Sequence, residues 1–319
     1  MKILLTGSHG FIGTHVRRLL AETPHEVLCF DCLEPRVHGD WAHHEDLVRR
    51  RISFVFPEEV ADVDVVIHLA AQVGVADSMT DPARYLHGNT METHSFYWQL
   101  ARYTKRLKRI VVASSMSVYG DPKTAEPIGE GWPTTPASIY GLTKFDQEIL
   151  TMTLAPLMGA TPVALRFFNV FGPGQALTNP YTGVLANFAN AILRGEAPTV
   201  YEDGLQTRDF IYVEDVARVV VDAISAPMEG VYNVCTGVPQ TILGVAECLC
   251  EALNSDVDIH MPGTARPGDI RHCVGRNVRL RNALPLWQPR RFALGLASYA
   301  EHLLASAQAP EGRVVHPST

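Results

Sequence analysis

Tyr140 and Lys144 stand four residues apart in the run Tyr-Gly-Leu-Thr-Lys, and on a helix that spacing puts both side chains on one face. A phenol with an ordinary pKa near 10 is a poor base at neutral pH. An ammonium group close by, and a cationic ring on a bound cofactor, favour the phenolate by opposite-charge attraction. Such a phenolate can take the proton from an alcohol while the carbon beneath gives up hydride. Ser115 lies upstream, at the end of the apolar run that starts at Arg109. Its hydroxyl can bond the same alcohol oxygen and hold it in line. Ser115, Tyr140 and Lys144 are therefore the expected catalytic set. A lone Tyr-x-x-x-Lys step is more often structural, so the reading needs a cofactor site to support it.

The chain supplies one at its start. Residues 2–6 (Lys-Ile-Leu-Leu-Thr) read as a short buried strand, followed at once by Gly7, Gly10 and Gly13 in a G-x-x-G-x-x-G turn. Phe11, Val16, Leu19 and Leu20 then recur at helical spacing. Gly7 and Gly10 let backbone N–H groups approach a pyrophosphate, and Gly13 lets the helix pack closely on the strand. Asp31 closes the next apolar run, where it can accept from a ribose diol and would repel a 2′-phosphate. NAD is favoured over NADP on that ground, and the combined reading is nicotinamide redox chemistry at a hydroxyl.

These side chains need a scaffold, and the rest of the sequence describes one. Strand and helix signals alternate through the first half, predicting an α/β doubly wound parallel sheet. Residues 64–71 read as a buried strand ending in small residues, across which a cofactor can lie. Residues 78–105 read as one long helical stretch, 121–137 as an active-site loop, 138–158 as a helix and 162–168 as a strand. From Asn169 the pattern changes, with Gly172-Pro173-Gly174 and Asn179-Pro180 as breaks. The expected domains are 1–168 with 211–235, which bind the cofactor, and a smaller lobe of 169–210 with 236–319.

Bulk properties bound the function. The chain has 319 residues, 46% hydrophobic and 19% charged, with a formal charge of −7. That balance argues against a general nucleic-acid or anionic-membrane binder. No apolar run reaches the roughly 18–20 residues needed to cross a bilayer, and a strand starting at Lys2 leaves no room for a signal peptide. The six cysteines are sparse; Cys29-x-x-Cys32 lacks a second pair at zinc spacing and reads as buried thiols. His43-His44 reads as a solvated loop. No metal is expected, and the expected compartment is the cytoplasm.

The motifs together resemble the extended short-chain dehydrogenase/reductase family, in its branch of nucleotide-sugar epimerases and dehydratases. The resemblance rests on TGSHGFIG, HLAAQ, SSMSVYG (114–120), YGLTK, RFFNVFGPGQ (166–175), QTRDFIYVEDVA (206–217) and RPGDIRH (266–272), in the family's order. It implies a Rossmann-type domain with a smaller C-terminal substrate-binding lobe. It also implies a homodimer formed through the helices containing residues 78–105 and 138–158. Carried over, Gly7, Gly10, Phe11, Ile12, Gly13, Asp31, Leu69, Ala70, Ala71, Asn89, Tyr140, Lys144 and Phe168 would hold the cofactor. Ser115, Asn169, Val184, Tyr201, Arg208, Arg266, Asp269 and Cys273 would meet a nucleotide-diphosphate sugar. Among these, Arg208 and Arg266 would clamp the pyrophosphate with bidentate forks.

The reaction class turns on the residues after Ser115. Dehydratases of the family carry acids there, whereas this chain has Met116 and Ser117, neither able to remove a C5 proton. The arrangement resembles 4-epimerases instead: oxidation at C4, rotation of the sugar, and return of hydride to the other face. Cys273, four residues after the Asp of RPGD, would be permissive toward a bulky sugar substituent. The segment 176–184 resembles enzymes acting on UDP- or dTDP-hexoses. Three departures stand out. The third-strand region, residues 51–57, lacks the Asp-plus-aliphatic pair expected at adenine, 87–90 form an irregular version of the Asn-containing turn, and Val274-Gly275-Arg276 replaces the usual Ala-Asp. A 4-ketosugar reductase is the runner-up, a 4,6-dehydratase fits less well, and a non-catalytic cofactor sensor is disfavoured because Tyr140 and Lys144 are both present.

Overall fold

The alternating Ile3-Leu4-Leu5 of the first strand sends side chains to two different cores, and the fold is built outward from that division. The computed structural model describes residues 1–33, 47–49, 51–177, 183–265 and 270–307. Ile3 and Leu5 pack with Val16, Leu20, Val216 and Val220, whereas Leu4 packs on the other face with Phe30, Val66, Phe96 and Leu100. A strand buried on both faces, with helices against each, is what a continuous apolar run predicts.

Seven strands form the main sheet: β1 (Lys2–Thr6), β2 (Glu26–Asp31), β3 (Leu47–Arg49), β4 (Val65–His68), β5 (Arg109–Ser115), β6 (Thr161–Phe167) and, after two strands of the second sheet, β9 (Gly230–Val234). Their order is β3-β2-β1-β4-β5-β6-β9, with every neighbouring pair parallel. The order reverses between β1 and β4, which opens the crevice where α/β sheets bind ligands. Register aligns the carboxyl ends there: Thr6 lies beside Phe30 and His68, and Ser115 beside Phe167. Helices α1 (Phe11–Ala21) and α4 (Val213–Asp222) cover one face; α2 (Glu92–Tyr103) and α3 (Ile139–Leu157) cover the other.

A second, smaller sheet is centred on β8 (Thr207–Tyr212), which pairs with β7 (Asn169–Phe171), β10 (Pro239–Thr241) and β11 (His272–Cys273). Phe171, Phe188, Phe210, Tyr212, Leu249 and Tyr299 form its core. The two units are stitched by Asp209, a buried carboxylate on β8. It accepts from Thr236 N (2.8 Å) and Oγ1 (2.7 Å), Gly237 N (2.8 Å) and Gly275 N (3.3 Å). Its donors follow β9 of the main sheet and β11 of the second. Leu280 and Trp287, placed by sequence in the second lobe, pack into the first core, so the boundary is less clean than composition implies.

Two stretches differ from the sequence reading. The helical stretch of 78–105 is broken into Val75–Thr80, Pro82–Tyr85, a wide π-helical turn at Leu86–Met91, and α2. Asp81 caps the second piece by accepting from Arg84 N, and Pro82 cannot continue the first. Residues 52–54 form a single 3₁₀ turn rather than a strand. The strand of that region lies earlier, at Leu47–Arg49, paired with β2.

Candidate active site

The carboxyl ends of β1, β4, β5 and β6 open into one cavity of about 1560 Å³ that runs from the glycine turn to the second lobe. At its first end the turn is tightly built. A Cβ on Gly13 would sit 1.9 Å from Gly7 O, and one on Gly7 would sit 2.7 Å from Ala70 N. Gly7 also holds φ +70°, a conformation that only glycine adopts readily. Gly10 precedes the first turn of α1, which has no side-chain cap, so its N–H groups and helix dipole face the cavity. A pyrophosphate fits this cradle.

Asp31 is buried beside it, accepting from His9 N (3.0 Å) and Leu33 N (2.9 Å). A carboxylate is an acceptor with several lone-pair sites, the chemistry that a ribose diol needs. Phe11, Ile12, Leu69, Ala70, Ala71 and Phe168 line the same space. Arg51 and Ile52 also line it; of the Asp-plus-aliphatic pair that the sequence lacks, the aliphatic half is present, with an arginine in place of the acid. Arg51 pairs with Glu92 (3.4 Å), whose other oxygen accepts from Ser53 N (3.2 Å).

Ser115, Tyr140 and Lys144 converge at the centre, all lining the cavity. Ser138 caps α3 by accepting from Gly141 N (3.0 Å), which starts the helix at the right residue to present Tyr140 and Lys144 together. Gly141 permits the close approach: a Cβ there would lie 2.5 Å from Ser117 O. Tyr140 shares a hydrogen bond with Ser115; burial raises the phenol's pKa and that bond opposes the rise. Its ring meets Tyr85 edge-on at 6.4 Å. Burial brings Lys144 down to about 7, against the pull of Glu148. Its ammonium donates to Gln147 Oε1 at 2.5 Å.

The buried ion pair behind this centre holds it in place. Glu148 accepts from Arg166 through both oxygens and from Ser114 Oγ at 2.8 Å. Arg166 in turn stacks 4.7 Å over the Tyr119 ring, and Tyr119 donates to Asn233 at 2.7 Å.

Among the described residues, the carboxylates lining the cavity are Asp31, Asp77 and Glu92. Asp77 is committed to Arg84 and accepts from Tyr85 (3.1 Å). Each lining acid therefore has a cation or donor of its own, and Met116 and Ser117 stand beside Ser115.

On the second-lobe side, Asn169 and Val184 line the cavity, whereas Tyr201, Arg208 and Cys273 do not. Arg208 is buried on β8, donating to Thr207 O at 2.9 Å. Cys273 is also buried, its Sγ 3.5 Å from Met116 Sδ, with Asn169 Nδ2 at 3.7 Å from the same sulfur. Met116 thus stands between Cys273 and the cavity, and the wall that Cys273 was expected to form is a thioether. Asn89 does not line the cavity either: its amide clasps Gln72 N (2.6 Å) and O (3.0 Å) and donates to Thr143 (2.9 Å). The π-helical turn aims it there, so it fixes the loop after β4. Cys29 is buried as expected, but Cys32 is exposed and lines the cavity. Arg266, Asp269, His43 and His44 lie outside the described residues. The sequence reading missed Met116 as a wall and Gln147 as the partner of Lys144. The second could have been found, since Gln147 lies one helical turn beyond Lys144.

Comparison with known proteins agrees with this geometry. The chain is 32% identical over 331 residues to a UDP-glucose 4-epimerase of Mycolicibacterium smegmatis, covering 97% of this chain and 100% of the relative. It is 28% identical over 321 residues to a dTDP-L-rhamnose 4-epimerase of Burkholderia thailandensis, covering 86% of each. A solved UDP-N-acetylglucosamine 4-epimerase from Methanobrevibacter ruminantium, in complex with UDP-N-acetylmuramic acid, superposes with a TM-score of 0.85 at 31% identity. That match covers 95% of this chain and 98% of the other. Residues 3–235 match a described family outright, and with the glycine cradle and the Ser-Tyr-Lys centre in one cavity the chain belongs to the NAD dependent epimerase/dehydratase family.

Proposed function

We propose that the protein is a nucleotide-sugar 4-epimerase acting on a UDP- or dTDP-linked hexose. The observation that carries this reading is the Ser115–Tyr140–Lys144 centre, set in the cofactor cavity beside Met116 and Ser117 and with no uncommitted carboxylate among the described lining residues. The glycine cradle, Asp31 and Phe168 would hold NAD, which supplies a reversible hydride acceptor at its nicotinamide. Tyr140 takes the proton of the C4 hydroxyl in the first half-reaction and returns it in the second. Ser115 holds the reacting oxygen in line, and Lys144 favours the phenolate. Between halves the sugar turns to present its other face, for which the broad cavity leaves room. Asn169, Val184 and Met116 border the sugar side, with Cys273 behind Met116; Arg208, Arg266, Tyr201 and Asp269 remain assigned to the nucleotide and sugar as the family resemblance implies.

Homodimerisation is part of the same proposal. Met91, Trp98, Leu142, Ile149 and Leu157 are exposed on α2, α3 and the turn before α2, two helices joined by the Tyr97–Thr151 hydrogen bond at 2.7 Å. Leu142 and Ile149 are seven apart on α3, which puts both on one side of that helix. No described helix is long and apolar enough to cross a membrane, and the sparse cysteines suit a reducing cytoplasm.

The test is incubation of UDP- and dTDP-hexoses in D₂O with the protein and catalytic NAD, followed by mass spectrometry and NMR. Epimerisation predicts a product of unchanged mass, inverted at C4, with no deuterium on carbon. Loss of water would make the protein a dehydratase, and turnover only of a ketosugar with stoichiometric NADH would make it a reductase.

A further inference from the structure

Lys144 is buried, and the acceptor it reaches, Gln147 Oε1 at 2.5 Å, belongs to a side chain that is itself fully enclosed. The direction of that amide is fixed from both ends. An ammonium is a donor only, so it must meet the amide oxygen. At the other end, Ala70 O lies 3.3 Å from Nε2 and is an acceptor only, so it must meet the amide nitrogen. Nε2 also donates to Thr93 Oγ1 at 2.8 Å and lies 3.2 Å from His68 Nε2. Thr93 bonds His68 Nε2 at 2.9 Å, and His68 Nδ1 bonds Thr6 at 2.7 Å. A continuous buried chain of hydrogen bonds therefore runs from the ends of β1 and β4 to the lysine.

We infer that Gln147 is a positioning residue for catalysis: anchored by Thr93 and the Ala70 carbonyl, its amide oxygen fixes the place of the Lys144 ammonium and keeps it charged beside Tyr140. The inference rests on the reading of Tyr140 and Lys144 as the proton-transfer pair. A carbonyl acceptor favours the ammonium over the neutral amine, opposing the burial that draws Lys144 down to about 7. The other titratable groups around Lys144 leave Gln147 this role. On its own helix are Tyr140 and Glu148, the latter already shared with Arg166 of β6 and Ser114 of β5. On β4, His68 is held neutral by burial, down to about 3, and Lys144 pushes it the same way. On α2, Tyr97 is bonded to Thr151 and pushed above its ordinary range by burial.

A charged Lys144 favours the Tyr140 phenolate by opposite-charge attraction, so Tyr140 reports on Gln147 without any substrate. The measurement is the near-ultraviolet tyrosinate absorbance of the NAD-bound protein against pH. Each protein is read as the difference from its Tyr140→Phe counterpart. Gln147→Met keeps the volume and removes the acceptor. The ammonium is then held less firmly, and the Tyr140 phenolate is expected about one pH unit or more higher, tenfold or more in ionisation constant. Thr93→Val leaves Gln147 in place but loosens its far end, and is expected to shift the same titration by less. The double variant is expected to shift no further than Gln147→Met alone, as for residues acting along one path. An unshifted titration in Gln147→Met overturns the inference; if that variant does not fold, an unshifted titration in Thr93→Val overturns it. Silence across the sugar panel with these shifts intact would sink the substrate reading and leave the role of Gln147 standing.

Discussion

Tyr140 carries two opposed influences: burial disfavours its phenolate, while the hydrogen bond with Ser115 favours it. That balance is what a group needs if it is to accept and return a proton in successive half-reactions. Replacing Tyr140 with Phe removes the proton acceptor and keeps the ring. Turnover should fall by about 10³-fold, while calorimetry should find NAD binding little changed. Loss of NAD affinity on the same scale as turnover would instead make Tyr140 a cofactor-holding residue. At this scale the sequence was informative about identity and silent about direction. The Tyr140–Lys144 spacing placed the pair on one face, but which end of the Gln147 amide meets the lysine depends on Ala70 and Thr93, remote in sequence. Cys273 was likewise visible as a small residue near the sugar, and the Met116 thioether lying over it was not.

At the scale of elements, the strand ends make the site, and β4 shows the cost of that arrangement. His68 terminates β4 with both ring nitrogens bonded, to Thr6 and Thr93, in complete burial. Burial holds it neutral down to about 3 from an ordinary 6.5. The sign follows from linkage: between those values the unfolded chain binds a proton that the folded chain refuses. His68 therefore contributes full stability above pH 6.5, and that contribution is lost as pH falls toward 3, by an amount on the order of 5 kcal/mol. His68→Gln, which retains polar atoms without titrating, should move the acid-unfolding midpoint to lower pH, read by circular dichroism. A midpoint that moves up or stays put would place the acid sensitivity elsewhere. The glycine turn and the main strands were legible because periodicity and punctuation are local signals. The π-helical turn at Leu86–Met91 was not, because it is set by Asn89 reaching Gln72 and Thr143 across the fold.

For the whole molecule, the exposed apolar residues Trp98 on α2 and Leu142, Ile149 and Leu157 on α3 predict the assembly. Trp98 is 65% exposed, a large aromatic surface for a monomer to leave in water. Trp98→Glu should place charges in the shared interface and convert a dimer into a monomer in sedimentation velocity, with the fold retained. A wild-type protein that sediments as a monomer at micromolar concentration would remove the dimer from the proposal. The first strand of the second sheet begins where the composition changes, at Asn169, yet the return of Leu280 and Trp287 to the first core was not legible, since nothing in that segment's composition distinguishes the two cores. The Asp209 stitch has a mechanical consequence. A carboxylate holding donors from separate passes of the chain makes the joint between the sheets a fixed frame rather than a bearing. Rotation during inversion then falls to the ligand, which swings inside a chamber of constant size. Selection among sugars becomes a matter of swept volume: a substituent is accepted when its arc clears the walls, even if no side chain recognises it.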